Sequence, residues 1–439
     1  MRKLRLGKSL LFTASLICAL ANASSAKDAD TRAACGPDKG AMPPWMDYVN
    51  AKTDFEFKLI SKVPIDKGMT LYQINMTSQI WHGATWKHTI VVVVPAKPVA
   101  PDLALVLLGG LPGTAGANSL AIYAQMAEDS GVPCVVLNPM VDCFGQHGRF
   151  ELTNYATAQF LKTKDPTWII GAPCARAAAR GMDAVEAVLS KDGLPVKRFI
   201  LTGHSRDGMV SWFGAIADPR VQGIIPVGAD GLNLTAPSQH QTMAFIQSVA
   251  GNLQSEVGKA FIASFDPYSF RDRLTVPKLI VSGTNDHIYD PNSVNEYWDG
   301  LPGAKWHLYL EGADHAHESG NPKTHRAIAV FARLLAEHKE PPKLEWKFAN
   351  SAGKITLTGT TSNAAKSARL WVGLGGNLSQ LQFTERPAKL GLASPNETAF
   401  TADIAMSPTG YTAVFAEIEY EHEGKPYSLT TGIFIAKPE

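Results

Sequence analysis

The chain has 439 residues, of which 45% are hydrophobic and 18% are charged. This composition predicts two or three folded domains with large buried cores and excludes an intrinsically disordered protein. The formal net charge of +1 excludes a strongly basic protein, so we expect neither a nucleic-acid partner nor attraction to an anionic membrane.

The first segment in chain order has the three parts of a secretory signal. Four basic residues within positions 1–8 precede the apolar run SLLFTASLICALA, and small residues suited to cleavage follow it. The run is too short to span a bilayer, so a retained membrane anchor is the weaker alternative. We expect residues 1–26 to be removed. The mature chain has no second long apolar run, so we expect it to be secreted or periplasmic, without an integral membrane segment.

Removal of this segment would leave four cysteines, which are Cys35, Cys134, Cys143 and Cys174. In an exported protein they permit two disulfides in three alternative pairings, which the sequence does not separate. Their spacing fits no zinc site, and we expect no bound metal.

Strand-like and helix-like segments then alternate from residue 88 to residue 338. The predicted strands are 88–95, 103–110, 132–139, 197–203, 221–228, 276–283 and 304–312. The predicted helices are 118–129, 171–191 and 324–338. This alternation predicts a mostly parallel sheet with helices on both faces, in an α/β domain over residues 27–340. Residues 234–272 are too long for a simple connection and form a candidate cap.

The composition changes at Glu340-Pro341-Pro342. Short segments of alternating apolar and polar residues follow, separated by Gly, Pro, Asn and Ser. This pattern predicts an antiparallel β-sandwich over residues 341–439. It contains no group of residues that indicates catalysis, so we interpret it as an accessory or packing domain.

A serine follows the predicted strand 197–203, in the stretch GHSRDG. The nucleophile turn of an α/β-hydrolase reads G-x-S-x-G, but here Asp207 is the second residue after Ser205 and the glycine, Gly208, is the third. Ser205 is therefore either a nucleophile on an altered turn or a turn serine without chemistry. The Asp207 carboxylate would hinder an anionic intermediate unless it points to solvent or caps the next helix.

An acid and a histidine follow later strands in the order expected for an α/β-hydrolase. Asp286 comes after strand 276–283, and His315 comes after strand 304–312. Because carboxyl ends of parallel strands share one edge of a sheet, these residues and Ser205 are candidates for a catalytic triad. Asp290 is the alternative acid and His317 the alternative base. Asp286 could otherwise be a turn or N-cap residue, and His315 a loop residue.

The oxyanion of such an enzyme is held by backbone N–H groups. The glycine-rich loop 109–116 follows strand 103–110, so we predict donors at Gly110 and Leu111, with the N–H of Arg206 as the second donor. A plain tight turn is the competing interpretation of the loop.

Several long stretches resemble the PhoPQ-activated pathogenicity-related proteins, which are exported proteins with an α/β-hydrolase-like fold. The similar stretches are 76–95, 181–188, 201–227 and 266–316, together with the β-rich tail. The resemblance implies an α/β-hydrolase-like sheet in residues 27–340.

The serine turn of this family reads G-A-S-K-R-G, so the resemblance explains the spacing of Gly203, Ser205 and Gly208. It also places Asp286 and His315 on the aspartate and the histidine of the family's G-T-G-D and A-G-H stretches. Two residues depart from the family pattern, because His204 and Asp207 replace an alanine and a basic residue.

These residues together predict an exported serine hydrolase that acts on an ester or amide of a small molecule or peptide. Ser205 would attack, His315 would transfer the proton and Asp286 would orient the imidazole. This chemistry requires no metal and no organic cofactor. The alternative is a secreted binding or signalling protein that keeps the hydrolase scaffold without catalysis.

Overall fold

The structure is a computed structural model that describes residues 41–51, 55–110, 117–237, 239–318, 320–351, 353–362, 365–394 and 397–437. These residues form one compact unit. The predicted signal peptide, Cys35, and the part of the predicted oxyanion loop from Leu111 to residue 116 lie outside the described residues.

In the described part of the chain, nine strands form a central sheet in the spatial order β1-β2-β3-β5-β4-β6-β7-β8-β9. They are β1 (Glu56–Pro64), β2 (Thr70–Trp81), β3 (Ala84–Val94), β4 (Leu103–Leu108), β5 (Cys134–Leu137), β6 (Arg198–His204), β7 (Val221–Val227), β8 (Lys278–Gly283) and β9 (Lys305–Leu310). The pairs from β1 to β3 and the pair β3–β5 are antiparallel, and all other neighbours are parallel. The predicted mostly parallel sheet is confirmed.

Eight α-helices occur within the described ranges. They are α1 (Met46–Asn50), α2 (Ala117–Ser130), α3 (Arg149–Thr163), α4 (Gly171–Leu189), α5 (Arg206–Ala217), α6 (His240–Ala250), α7 (Glu256–Phe265) and α8 (Pro322–Ala336). Within those ranges no helix combines the length and the apolar character needed to cross a bilayer. The predicted cap segment contains α6 and α7.

The helices cover both faces of the sheet because side chains alternate along each strand. In β4, Ala104, Val106 and Leu108 pack in the core that contains α4 and α5. Leu103 and Leu107 of the same strand pack in the core that contains α2 and α8. A strand that is buried on both faces has a continuous apolar sequence, and this is why β4 was predictable.

The structure adds several elements that the sequence analysis did not predict, and three of them are informative. These are β1, β2 and α3. Strand β1 lies at the edge of the sheet and is largely exposed, so its sequence mixes polar and apolar residues without a clear period. Helix α3 has charged and polar residues on much of its surface, which weakens the helical pattern.

The C-terminal region is a β-sandwich, as predicted. Its first sheet has the order β10 (Leu344–Ser351), β11 (Lys354–Thr361), β15 (Glu397–Ala405), β14 (Lys389–Ser394). Its second sheet has the order β13 (Gln382–Pro387), β12 (Ser367–Gly375), β16 (Tyr411–His422), β17 (Lys425–Thr430), and β18 (Phe434–Ala436) also pairs with β16. Apolar side chains of both sheets share one core, for example Ile355, Phe400 and Val414. The predicted domain boundary at residues 340 and 341 falls between α8 and β10.

Three of the four cysteines are described, and all three are free thiols. If the four cysteines formed two disulfides, one disulfide would have to join two of these three residues. Because all three are free, the two disulfides are not formed. Cys134 packs in the core on one face of the sheet, whereas Cys174 packs in the core on the other face. Burial raises the pKa of both thiols, which keeps them uncharged.

Candidate active site

Ser205 lies on a strained turn between strand β6 and helix α5. Its φ of 57° and ψ of −119° are unusual for a residue with a side chain. Its N–H donates a hydrogen bond to the carbonyl of Val227 at 2.8 Å, which ties the turn to the neighbouring strand. The nucleophile of an α/β-hydrolase also lies on a strained turn between a strand and a helix.

Two glycines allow the start of α5 to pack against the end of β6. A Cβ atom at Gly203 would lie 2.7 Å from the backbone carbonyl of Asp207. A Cβ atom at Gly208 would lie 2.8 Å from the carbonyl of Gly203. The close approach therefore requires glycine at the first and the last position of the turn. The late glycine is a steric requirement of this chain.

The carboxylate of Asp207 does not point to solvent and does not cap α5. The residue is 2% exposed and forms a short ion pair with Arg149. It lies beneath Gly109, where a Cβ atom would come within 1.9 Å of its Oδ2. Burial raises the pKa of Asp207 to about 6, and the positive charge of Arg149 opposes this shift. The side chain is thus buried and paired with Arg149.

His315 connects Ser205 to Asp286 through two hydrogen bonds. Its Nε2 lies 2.8 Å from the Ser205 Oγ, and its Nδ1 lies 2.7 Å from Asp286 Oδ2. The other oxygen of Asp286 accepts N–H groups of Ile288 at 2.6 Å and Tyr289 at 3.0 Å. The three predicted residues therefore meet beyond the carboxyl ends of β6, β8 and β9.

The surroundings of Asp286 keep its carboxyl group ionised. Burial by itself would raise the pKa of Asp286. The hydrogen bond with His315 and the backbone N–H groups of Ile288 and Tyr289 outweigh burial and hold this pKa below its usual value. The carboxylate is therefore able to orient the imidazole and to stabilise its protonated form.

The alternative acid and base lie outside this relay. Asp290 accepts hydrogen bonds from the backbone N–H of Gln241 at 2.8 Å and from its side-chain amide at 3.2 Å, at the start of α6. His317 is exposed and pairs with Asp314 at 2.7 Å. Asp290 thus holds the predicted cap segment, and His317 has no contact with the serine.

The predicted oxyanion donors are only partly described. Gly110 has a φ of 75° and ends the described part of its loop. Leu111 lies outside the described residues. Arg206 is the first residue of α5, so its N–H is among the donors that a helix leaves without an intrahelical partner. The positive end of the helix dipole lies at the same place and favours negative charge there.

A buried carboxylate that the sequence analysis missed lies beside the relay. Glu318 Oε2 lies 3.3 Å from His204 Nε2 and 3.7 Å from His315 Nδ1. Its Oε1 accepts the N–H of Gly283 at 2.6 Å. Glu318 lies three residues after His315 in a loop without periodicity. The sequence pattern therefore did not indicate that its side chain is buried beside the relay.

A small apolar cavity lies next to the serine turn. It has a volume of about 80 Å³, and its apolar lining includes Met209 of α5 and Ile246 of α6. Arg206 and Tyr289 are polar residues at its boundary. The ring of Tyr289 lies 5.7 Å from that of His315. The cavity therefore adjoins the residues of the relay.

The loop that carries the acid and strand β9, which precedes the histidine loop, also contact the C-terminal sandwich. The side chain of Asn285, next to Asp286, donates to the carbonyl of Leu381 at 2.9 Å. Thr430 Oγ1 accepts the N–H of Tyr309 at 2.9 Å and lies 3.2 Å from His307 Nδ1. The sandwich thus supports the loop of Asp286 and the strand that leads to His315.

Comparison with known proteins gives one family match and several more distant similarities. The model of the PhoPQ-activated pathogenicity-related protein family matches residues 45–378, which include all three residues of the relay. Autocrine proliferation repressor protein A of Dictyostelium discoideum is 27% identical over 350 residues, which cover 72% of this chain and 70% of that protein.

Two solved structures illustrate the more distant similarity. Acetyl xylan esterase from Paenibacillus sp. R4 has 15% sequence identity and a TM-score of 0.46, over 66% of this chain and 92% of that chain. A glucuronoyl esterase from Solibacter usitatus has 15% identity and a TM-score of 0.43, over 64% of this chain and 86% of that chain.

Proposed function

The chain belongs to the PhoPQ-activated pathogenicity-related protein family, and on this premise we propose that it is an exported serine hydrolase that cleaves an ester or amide. One observation carries the proposal, namely the continuous hydrogen-bonded relay from Asp286 through His315 to Ser205. A hydroxyl is a weak nucleophile unless an adjacent base accepts its proton, and the relay supplies this base.

The proposed reaction begins with attack of Ser205 Oγ on the substrate carbonyl, while His315 Nε2 takes the hydroxyl proton. The negative charge on the carbonyl oxygen would be held by the N–H of Arg206 and by the loop at Gly110 and Leu111. His315 then returns the proton to the leaving alcohol or amine. Water, activated by the same imidazole, releases the acyl group from the serine.

The cavity beside the serine turn supports a substrate with a short apolar group. Most of its lining is apolar, as at Met209 and Ile246, and favours an apolar group. Arg206 lies at its boundary, with the guanidinium over the ring of Phe150 at 5.1 Å. We propose that a small apolar acyl group or side chain occupies this cavity. Helices α6 and α7 would act as the cap above it.

The proposal is tested by turnover of a panel of chromogenic esters of increasing acyl length, together with aminoacyl anilides. We expect the purified chain to cleave short apolar members, and Ser205→Ala to reduce kcat by at least about a thousandfold. His315→Ala is expected to have a similar effect. The matched control is His317→Ala, because this exposed histidine lies two residues away and outside the relay. Equal activity of the wild type and Ser205→Ala on every substrate would exclude the proposed mechanism.

A second candidate function is a secreted binding or signalling protein on a hydrolase scaffold. The observation that favours it is the similarity to a protein named for repression of proliferation. The two candidates differ in their dependence on Ser205. A biological effect that persists in folded Ser205→Ala would favour binding, whereas loss of the effect would favour hydrolysis.

A further inference from the structure

We propose that His204, His315 and Glu318 form a site for Zn²⁺ that inhibits the hydrolase when it is occupied. The inhibitory role depends on the proposed function, but the binding site itself does not. The three residues offer two imidazole nitrogens and one carboxylate oxygen within 4.8 Å of one another. This is a set of ligands that Zn²⁺ prefers in proteins.

Two buried acceptor atoms in this group face each other without a hydrogen-bond partner. Glu318 is 0% exposed, and its Oε2 has no hydrogen bond. His204 Nε2 also lacks a hydrogen bond and lies 3.3 Å from that oxygen. Because a buried polar atom without a partner is costly, the pair favours a proton or a metal ion between the two atoms.

Two of the three separations between the ligand atoms are close to those of a zinc site, and the third is within 4.8 Å. Four ligands at ordinary zinc distances in a tetrahedron lie about 3.4 Å from one another. The observed separations are 3.3 Å from Glu318 Oε2 to His204 Nε2 and 3.7 Å from Glu318 Oε2 to His315 Nδ1. The second oxygen of Glu318 accepts a hydrogen bond from the backbone N–H of Gly283. Hydrogen bonds of this kind orient the carboxylate ligands of metal sites.

Occupation of this site is incompatible with the relay. The proton on His315 Nδ1 forms the hydrogen bond with Asp286. A Zn²⁺ ion on that nitrogen must replace the proton and break this bond, so the imidazole is no longer available as the base for Ser205. The side chains of His204 and His315 are 14% and 11% exposed, and this opening gives the ion a path to the site.

The substitution His204→Ala removes one of the three ligands of the proposed site. A second group of potential ligands, formed by Glu337, His422 and Glu423, offers a matched comparison. Its Glu337 carboxylate is already bound to Arg333 and Lys339.

The experiment is equilibrium dialysis of the mature chain against Zn²⁺, followed by metal analysis. We expect one ion per chain in the wild type and in Ser205→Ala, and a loss of affinity of at least about tenfold in His204→Ala. Glu318→Gln is the second variant, and circular dichroism checks that each variant folds. The matched control His422→Ala is expected to bind as the wild type does. The proposed zinc site would be wrong if the wild type bound no Zn²⁺ or if His204→Ala bound it equally well. A proton shared between His204 and Glu318 would then be the remaining explanation of their contact.

The inhibitory role is measured separately by the rate at which a fluorophosphonate modifies Ser205. We expect Zn²⁺ to slow this rate at least about tenfold in the wild type and to leave it unchanged in His204→Ala. An unchanged rate on a wild type that has bound Zn²⁺ would contradict inhibition. If the serine is never modified, the proposed hydrolase function fails, but the dialysis result still decides the metal site.

Discussion

The two halves of the relay are supported by different parts of the chain. Ser205 lies on a turn held by strand β7 and helix α3, through the hydrogen bond to Val227 and the ion pair of Asp207 with Arg149. The loop of Asp286 also contacts the sandwich, because Asn285 donates to Leu381.

Strand β9, which leads to His315, has a similar support, because the backbone N–H of Tyr309 donates to Thr430. The C-terminal region therefore differs from a simple accessory domain. It contacts the acid and base half of the site, whereas the hydrogen bonds and the ion pair described here for the serine turn all lie within the α/β region.

The largest expected effect comes from removal of the charge on the acid. Asp286→Asn keeps the size of the side chain but cannot hold His315 in the required tautomer. We expect kcat for ester hydrolysis to fall by about 10³- to 10⁴-fold with little change in stability. Asp290→Asn is the control, since Asp290 binds α6, and its kcat should stay close to that of the wild type. Equal losses in both variants would contradict the assignment of Asp286.

The second prediction concerns Gly109, which packs against Asp207 in the nucleophile half of the site. Gly109→Ala places a Cβ atom 1.9 Å from Asp207 Oδ2 at a φ of 75°. We expect the free energy of unfolding to fall by about 3 kcal/mol, because both the backbone strain and the disturbed ion pair contribute. The matched control is Gly145→Ala, which has a φ of 70° but no atom within 4 Å of the added carbon. That variant should lose only about 1 kcal/mol.

The third prediction concerns His307 in strand β9, which contacts the sandwich. We expect this residue to make the free energy of unfolding depend on pH. Burial lowers the pKa of this imidazole to about 3, against an ordinary value of 6.5. The unfolded chain therefore binds a proton that the folded chain excludes, and stability falls as the pH drops below 6.5 toward 3. From pH 7 to pH 5 this residue should lower the free energy of unfolding by about 2 kcal/mol.

Urea unfolding of the wild type and of His307→Gln at both pH values measures this contribution. The variant should lose less stability on acidification, by that same amount. Identical pH dependence in the two proteins would show that His307 is not buried in its neutral form.

The smallest expected effect tests the contact between the sandwich and the acid loop. Asn285→Ala removes the hydrogen bond to Leu381, and we expect kcat to fall by about tenfold because Asp286 is less well positioned. Asn295→Ala removes a similar bond, in which the side chain donates to the carbonyl of Ile433 at 2.8 Å. Both variants should lose about 1 kcal/mol of stability. An equal fall of kcat in Asn285→Ala and Asn295→Ala would show that Asn285 does not position Asp286.

The sequence predicted the parts of the molecule that depend on local pattern. Buried strands such as β4 and β8 have continuous apolar sequences, and the carboxyl ends of parallel strands lie along one edge. The positions of Ser205, Asp286 and His315 after such strands therefore sufficed to predict their proximity. Their catalytic roles remain a prediction.

Features that depend on contacts between distant segments were not predictable. Arg149 pairs with Asp207 across 58 residues, so the sequence could not show how the carboxylate next to Ser205 is neutralised. Glu318 lies in a loop without periodicity, and its contact with His204 exists only in the folded chain. The two disulfides that the cysteine count permitted are not formed, and spacing along the chain did not show that Cys134 and Cys174 lie on opposite faces of the sheet.

The most direct measurement of the central claim is mass spectrometry of the mature chain after reaction with a fluorophosphonate. This reagent forms a stable adduct with a serine only when a base activates the hydroxyl. We predict one adduct per chain, located on the peptide that contains Ser205, absent in Ser205→Ala and formed much more slowly in His315→Ala. A folded wild type that stays unmodified, or that carries the adduct on another serine, would contradict the account.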